Sequence, residues 1–186
     1  MSLSSQLLRA ARLTLALWLL TVVLTSLPML GLARLVANDS ANGSLLQRDG
    51  VVVGSRLIGQ PFSSGRYLNG RPFGHASLSA ANPLLAKRVA EAAKGWQAAG
   101  IHHPASDLLL DSGSGVDPHI SLEAARQQLP GLARERGMEV AQLEDLIKHH
   151  LEGPMTLRAI QPVVNVLGFN LALDQLDATS AKGRKA

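Results

Sequence analysis

The sequence predicts an α+β protein: one N-terminal transmembrane helix followed by a small mixed α/β extracytoplasmic domain. Three observations carry this. Residues 13–33 are free of charge. The body beyond them alternates helical apolar periodicity with short β-rich runs, each ended by Gly or Pro. A chain of 186 residues leaves one domain of ordinary size after such a segment.

The apolar stretch comes first. Twenty-one helical residues rise about 31 Å, the thickness of one hydrocarbon core. A cleaved signal peptide has an apolar region of only about 7–15 residues. Gly31-Leu32-Ala33 resembles a small-x-Ala cleavage site, but the length of the run favours a retained anchor over residues 13–34. Arg9, Arg12 and the terminal amine precede the span, and Arg34 and Arg48 follow it. That bias puts residues 1–12 in the cytoplasm and the body outside, in a single-pass membrane protein.

The charge map bears on partners. The net charge is +4, yet between residues 35 and 181 there are 12 Lys and Arg against 14 Asp and Glu. The basic excess sits at the two ends, the second being the tail 178–186 with Lys182, Arg184 and Lys185, read as disordered. Nucleic-acid binding needs clustered cations on the folded surface, and 3% aromatic residues offer few stacking platforms. Nucleic acid is therefore not expected as a partner. Absence of Cys excludes disulfides and a catalytic thiol. His102-His103 and His149-His150 are adjacent pairs without metal-site spacing, so no metal is expected.

Along the body, residues 35–50 read as a polar linker and 51–177 as the soluble domain. Val51–Val53 and Leu57-Ile58 read as two short strands interrupted by Gly54, and 61–81 as an ordered loop. Asn82 caps a helix with Pro83 at its first position, and Leu85, Val89, Ala92 and Trp96 form its inner face. Gly100 suits a left-handed residue after that helix. Residues 107–110 read as a buried strand. Ser121 caps the next helix, whose face is Leu122, Ala125, Leu129 and Leu132; Pro130 should kink or break it, and Gly137 ends it. A helix over about 139–151 turns Val140, Leu143, Ile147 and Leu151 inward, pairs Glu144 with Lys148, and stops at Gly153-Pro154. A last helix runs from Asn165 to about Asp177.

The loop Asp111–His119 is the most distinctive local feature. As a turn, Gly113 and Gly115 admit positive φ and Asp and Ser bond nearby amides. As an anion nest, the amides of Ser112, Gly113, Ser114 and Gly115 would face a phosphate, with Gln60 as a further candidate. As a hydrolase site, Ser112 or Ser114 would attack with His119 as base and Asp111 or Asp117 as orienter, but the nucleophile-elbow spacing is missing. An independent envelope hydrolase or binding protein is thus the alternative reading. Arg56, Arg66 and Arg71 read as a solvated face unless they cluster.

Several segments together resemble one family. They are Gly54-Ser55-Arg56-Leu57-Ile58-Gly59-Gln60 with Phe62, Tyr67 and Arg71-Pro72; Asn82-Pro83-Leu84; and Ser112–Ser121, which includes Asp117-Pro118-His119. Ala133–Gly137 and Val164-Asn165-Val166-Leu167 with Asn170–Asp174 complete the set. In this order, behind an N-terminal anchor, they resemble the C subunit of the Kdp-type potassium-transporting ATPase. Segments 73–81 and 151–162 depart from that family's pattern. The resemblance implies a non-catalytic accessory subunit. Its partners would be a potassium-translocating subunit, a P-type ATPase subunit and a very small helical subunit, which handle potassium themselves. It also implies a role in assembly and in raising ATP affinity, with ATP as a possible ligand. The phosphorylation motif Asp-Lys-Thr-Gly is absent, so this chain is not itself the phosphorylated pump.

Overall fold

The computed structural model describes residues 3–73, 78–153 and 161–183. The chain divides into two units, with the boundary between Ser44 and Leu45. In the first, helix α1 (Leu3–Val36) carries the apolar stretch and α2 (Asn38–Ala41) is a single turn. No residue of α1 is buried within the protein, and its mean hydropathy over the best window is 2.1. Its 34 residues extend about 51 Å, past the uncharged segment at both ends. Pro28 lies inside it without ending it. The hydroxyls of Thr21 and Thr25 donate to Leu17 O and Thr21 O, both at 2.8 Å, so neither is left bare on an apolar face.

The second unit opens with a hairpin where a linker was expected. Strands β1 (Leu45–Arg48) and β2 (Val51–Ser55) pair antiparallel across Asp49-Gly50. Both turn residues have positive φ, 51° and 78°, the combination a two-residue turn needs to match strand twist. Gly54 lies within β2 rather than interrupting it, and a Cβ there would come within 2.7 Å of Leu167 Cδ2, so the position leaves little room for a side chain. Leu57-Ile58 form a turn, not a strand: the Leu57 amide donates to Ser55 Oγ and the Ile58 amide to Ser55 O.

Helix α3 (Pro83–Ala98) begins as expected, with Asn82 accepting from the Leu84 amide at 3.0 Å. Gly100 follows it at φ 92°. Trp96 fastens its end to the body by donating from Nε1 to Leu108 O at 2.9 Å. Residues 107–110 are not a strand. Ser106–Leu108 make a 3-10 turn that buries Leu108 and Asp107. The Asp107 carboxylate accepts from the Ser121 amide at 2.7 Å, work that a strand would have left undone.

The sheet forms instead from β3 (His119–Ser121), β4 (Leu151–Glu152) and β5 (Val163–Asn165), antiparallel in the order β3-β5-β4. Leu151 therefore belongs to a strand, and Asn165 ends β5 rather than starting a helix. Helix α4 (Leu122–Arg136) is capped by Ser121 and closed by Gly137 in the left-handed region, as expected. Pro130 does not break it. The ring sits on the exposed side, and α4 stays continuous without that one amide donor. Helix α5 (Val140–His149) buries Leu143 and Ile147, while Val140 is exposed. Glu144 bonds Arg126 of α4 and Lys148 bonds Asp145, so the expected Glu144–Lys148 pair is replaced. Helix α6 (Val166–Gly183) runs beyond Asp177, where its end and a disordered tail were expected. Residues 184–186, 74–77 of segment 73–81 and 154–160 of segment 151–162 lie outside the described residues.

The core lies between the sheet and α4, α5 and α6, around Phe169, Ile120, Leu129, Leu143, Ile147 and Leu173. Leu68 reaches it from the 56–73 loop and is fully buried. Side-chain amides hold that loop. Asn170 accepts from the Leu68 amide and donates to Leu68 O, both at 2.9 Å. Gln128 does the same for Asn69, at 2.9 and 3.0 Å. Gln127 bridges the Ala105 amide and His103 O. These amides stand in for missing strand partners, so buried backbone stays satisfied without a sheet.

Candidate functional site

Most of the residues singled out in the sequence meet at one junction, where the 56–73 and 111–118 loops pack on the start of α6. Gly59, Gln60, Arg71, Pro72, Gly115, Asp117 and Pro118 line a single crevice there. Gly59 fixes the approach. Its amide donates to Val116 O at 2.8 Å, and a Cβ would lie 2.6 Å from Asp117 O. Asn165 ties the same region to the sheet by donating to Arg56 O at 2.8 Å and accepting from the Gly168 amide at 3.0 Å. Asn82 and Pro83 act elsewhere, at the start of α3, and Asn170 acts in the core through Leu68.

A row of charges of alternating sign crosses the junction. Asp107 pairs with Arg71 Nη2, and Arg71 Nε lies 3.5 Å from Asp117 Oδ2. Asp117 Oδ1 is 3.3 Å from His119 Nδ1. His119 Nε2 is 3.0 Å from Glu152 Oε2. The hydrogen bond to Asp117, helped by Glu152, raises the His119 pKa above its usual value against the opposing effect of burial. The His119 ring in turn lowers Asp117 below the ordinary carboxylate value, with its backbone amide and Arg71 adding to the effect against burial.

The Ser112–Gly115 loop spends both of its hydroxyls on backbone amides of residues 116 and 117. Ser112 Oγ accepts from the Asp117 amide at 3.2 Å, and Ser114 Oγ from the Val116 amide at 3.3 Å. The Gly115 amide donates to Ser112 O. The crevice beside it has a volume of about 10 Å³, room for about one water molecule. The two hydroxyls and the Gly115 amide thus make a self-bonded turn. The ring nitrogens of His119 face carboxylates and the Asn165 amide, not a serine hydroxyl. Of the three arginines, Arg71 alone enters this row; Arg66 bonds Asp177 and Glu135 O instead.

Two features escaped sequence reasoning. Glu152 has no motif around it, and only the fold brings it to His119. The second is a knot at the end of α4. Arg136, 2% exposed at its side chain, bonds Asp174 at 2.9 Å and Asp177 at 2.6 Å, and stacks over Tyr67. Arg136 lies in the Ala133–Gly137 segment, but the acids it meets are 38 and 41 residues away.

The sequence model of one protein family, described as the c chain of the K+-transporting ATPase (KdpC), matches residues 7–175. This chain belongs to the KdpC family. It is 43% identical to the potassium-transporting ATPase KdpC subunit of Pectobacterium atrosepticum, over 90% of this chain and 97% of that one. The KdpC subunit of Anabaena sp. is 36% identical over 99% of this chain and all of its own. That of Cereibacter sphaeroides is 43% identical over 88% and 94%. The resemblance drawn from the sequence motifs is thereby established. Membership makes the chain a subunit of a potassium-transporting ATPase complex, and α1 supplies one candidate membrane span.

Proposed function

We propose that this KdpC-family chain is an accessory, non-catalytic subunit of an ATP-driven potassium importer that docks on its partners through apolar side chains exposed along residues 45–58. One observation carries the reading. Among the described residues, the five most exposed large apolar side chains of the second unit fall in one short stretch: Leu45 47%, Val51 66%, Val52 50%, Leu57 60% and Ile58 51%. Exposed apolar side chains concentrated in one segment are suited to burial against a partner. Residues 37–44 separate α1 from β1, and even fully extended they span no more than about 30 Å. Exposed loops of a potassium-translocating subunit would meet the 45–58 segment.

In this reading the N-terminus is cytoplasmic and the body lies outside the cytoplasm of the bacterial inner membrane, consistent with Arg9 and Arg12 before the span. Ala16, Gly31 and Ala33 permit close approach of a partner helix, and nothing lies within 4 Å of the site a Gly31 Cβ would take. The P-type ATPase subunit and a small helical subunit complete the complex. Any effect on ATP affinity then travels through the complex; the Ser112 and Ser114 hydroxyls and the Gly115 amide are already bonded within residues 112–117, and the crevice beside them has room for about one water molecule. Purification of the complex with and without this chain tests the role. Potassium-dependent ATP hydrolysis should require it, and unchanged assembly and hydrolysis in its absence would refute the proposal. Labelling of the full chain by a photoreactive ATP analogue, above the level of an unfolded control, would refute the indirect route to ATP affinity.

A further inference from the structure

We propose that His119 is a proton-operated latch that holds the edge strand β4 to the 111–118 loop when charged and releases it when neutral. The geometry has two acceptors on one ring. Asp117 Oδ1 faces Nδ1 at 3.3 Å, and Glu152 Oε2 faces Nε2 at 3.0 Å. Only the imidazolium carries an N–H on both nitrogens. In that state the ring bonds both carboxylates at once.

Loss of one proton leaves a single N–H. Asp117 is the better held of the two acids, since it also receives the His119 amide at 3.0 Å and faces Arg71. The remaining proton therefore stays on Nδ1, and the Nε2 lone pair turns toward the Glu152 carboxylate, which repels it. A replacement donor is already in place. Asn165 Nδ2, which gives one hydrogen to Arg56 O, lies 3.4 Å from His119 Nε2. Its second hydrogen can bond the neutral ring. Glu152 is exchanged for Asn165, and the proton goes to solvent.

The consequence falls on β4. This strand is only Leu151–Glu152, it pairs with β5 alone, and it directly follows α5. Its edge position makes the His119 bond a large part of what holds the Glu152 side chain. The charged and titratable groups around the latch are Asp117 on the preceding loop, Arg71 from the 56–73 loop, and Glu152 on β4. His149 and His150 at the end of α5 and Arg56 line the neighbouring cleft with Glu152 and Asn165. His150 Nδ1 is bonded to Leu146 O at 2.8 Å, so it does not compete for Glu152 through that nitrogen.

The test is a pH titration of the full chain in detergent, labelled with 13C at the histidine rings, with His119→Gln used to assign the resonance. His119 should titrate above the usual histidine range, and the Glu152 amide and side-chain carboxyl resonances should move with the same midpoint. In Glu152→Gln the His119 midpoint should fall by about one pH unit, while the Asp117 contact persists. If His119→Gln fails to fold, comparison of the wild type with Glu152→Gln identifies the ring alone. A His119 midpoint at or below the ordinary value, or Glu152 resonances that ignore it, would overturn the latch.

Discussion

At the residue scale, glycines and amides decide how closely loops pack. Gly59 and Gly54 both sit where a Cβ has no room, but the neighbours differ. At Gly59 the obstacle is the Asp117 backbone oxygen, whereas at Gly54 it is the mobile end of Leu167. Gly59→Ala should thus cost about 2 kcal/mol or more and Gly54→Ala less, read from urea midpoints of the full chain in detergent. Asn170→Ala leaves both backbone groups of the buried Leu68 without partners and should cost about 3 kcal/mol in the same assay. The paired groups also give stability a pH dependence. His119 has a raised folded pKa, so its contribution is fully present below the unfolded value of about 6.5 and disappears as pH rises through the folded one. Asp117 has a lowered folded pKa, so its contribution is present above about 3.9 and is lost as pH falls through the folded value. Stability measured from pH 5 to pH 9 should therefore decline across the His119 titration in the wild type and decline less in Glu152→Gln.

At the element scale, helices were easier to read than strands. The caps Asn82 and Ser121 and the stops at Gly100 and Gly137 are local chemistry and stand where the sequence put them. The hairpin was missed although its turn was in view. Asp49-Gly50 between two short apolar runs is a strong hairpin signal, overridden by the polar composition around it. Residues 107–110 look like a strand because Leu108–Leu110 are apolar, but the Asp107 carboxylate is bound by Ser121 and Arg71, which only tertiary structure supplies. Three-residue strands such as β3 and β5 carry too few residues to show a period of two. Of the site, the motif residues were legible as a group, while Glu152 and the acids that meet Arg136 were not, since their partners are far off in sequence. Pro130 shows propensity yielding to packing. Pro130→Ala returns an amide to an exposed helix interior and should stabilise the chain by about 1 kcal/mol or more, measured by thermal unfolding. Arg136→Ala should cost about 2 kcal/mol, because it removes a buried guanidinium from Asp174, Asp177 and the Tyr67 ring while Arg48 and Arg66 still pair the two acids.

At the scale of the whole molecule, a candidate membrane span and a body whose most exposed apolar side chains, among the described residues, fall within residues 45–58 are joined by residues 37–44. The body's core is otherwise well closed, so its exposed Leu57 and Ile58 have no folding role that the described residues display. Assembly with larger membrane partners explains both the anchor and the exposed apolar segment, and it fits membership in the KdpC family. The most direct measurement is co-purification of the transport complex carrying Leu57→Glu and Ile58→Glu together, with circular dichroism of the isolated full-length variant as the control for folding. The expected result is a folded variant that no longer retains the translocating and ATPase subunits and no longer supports potassium-dependent ATP hydrolysis. A folded variant that still assembles and supports hydrolysis at the wild-type level would contradict docking through this segment.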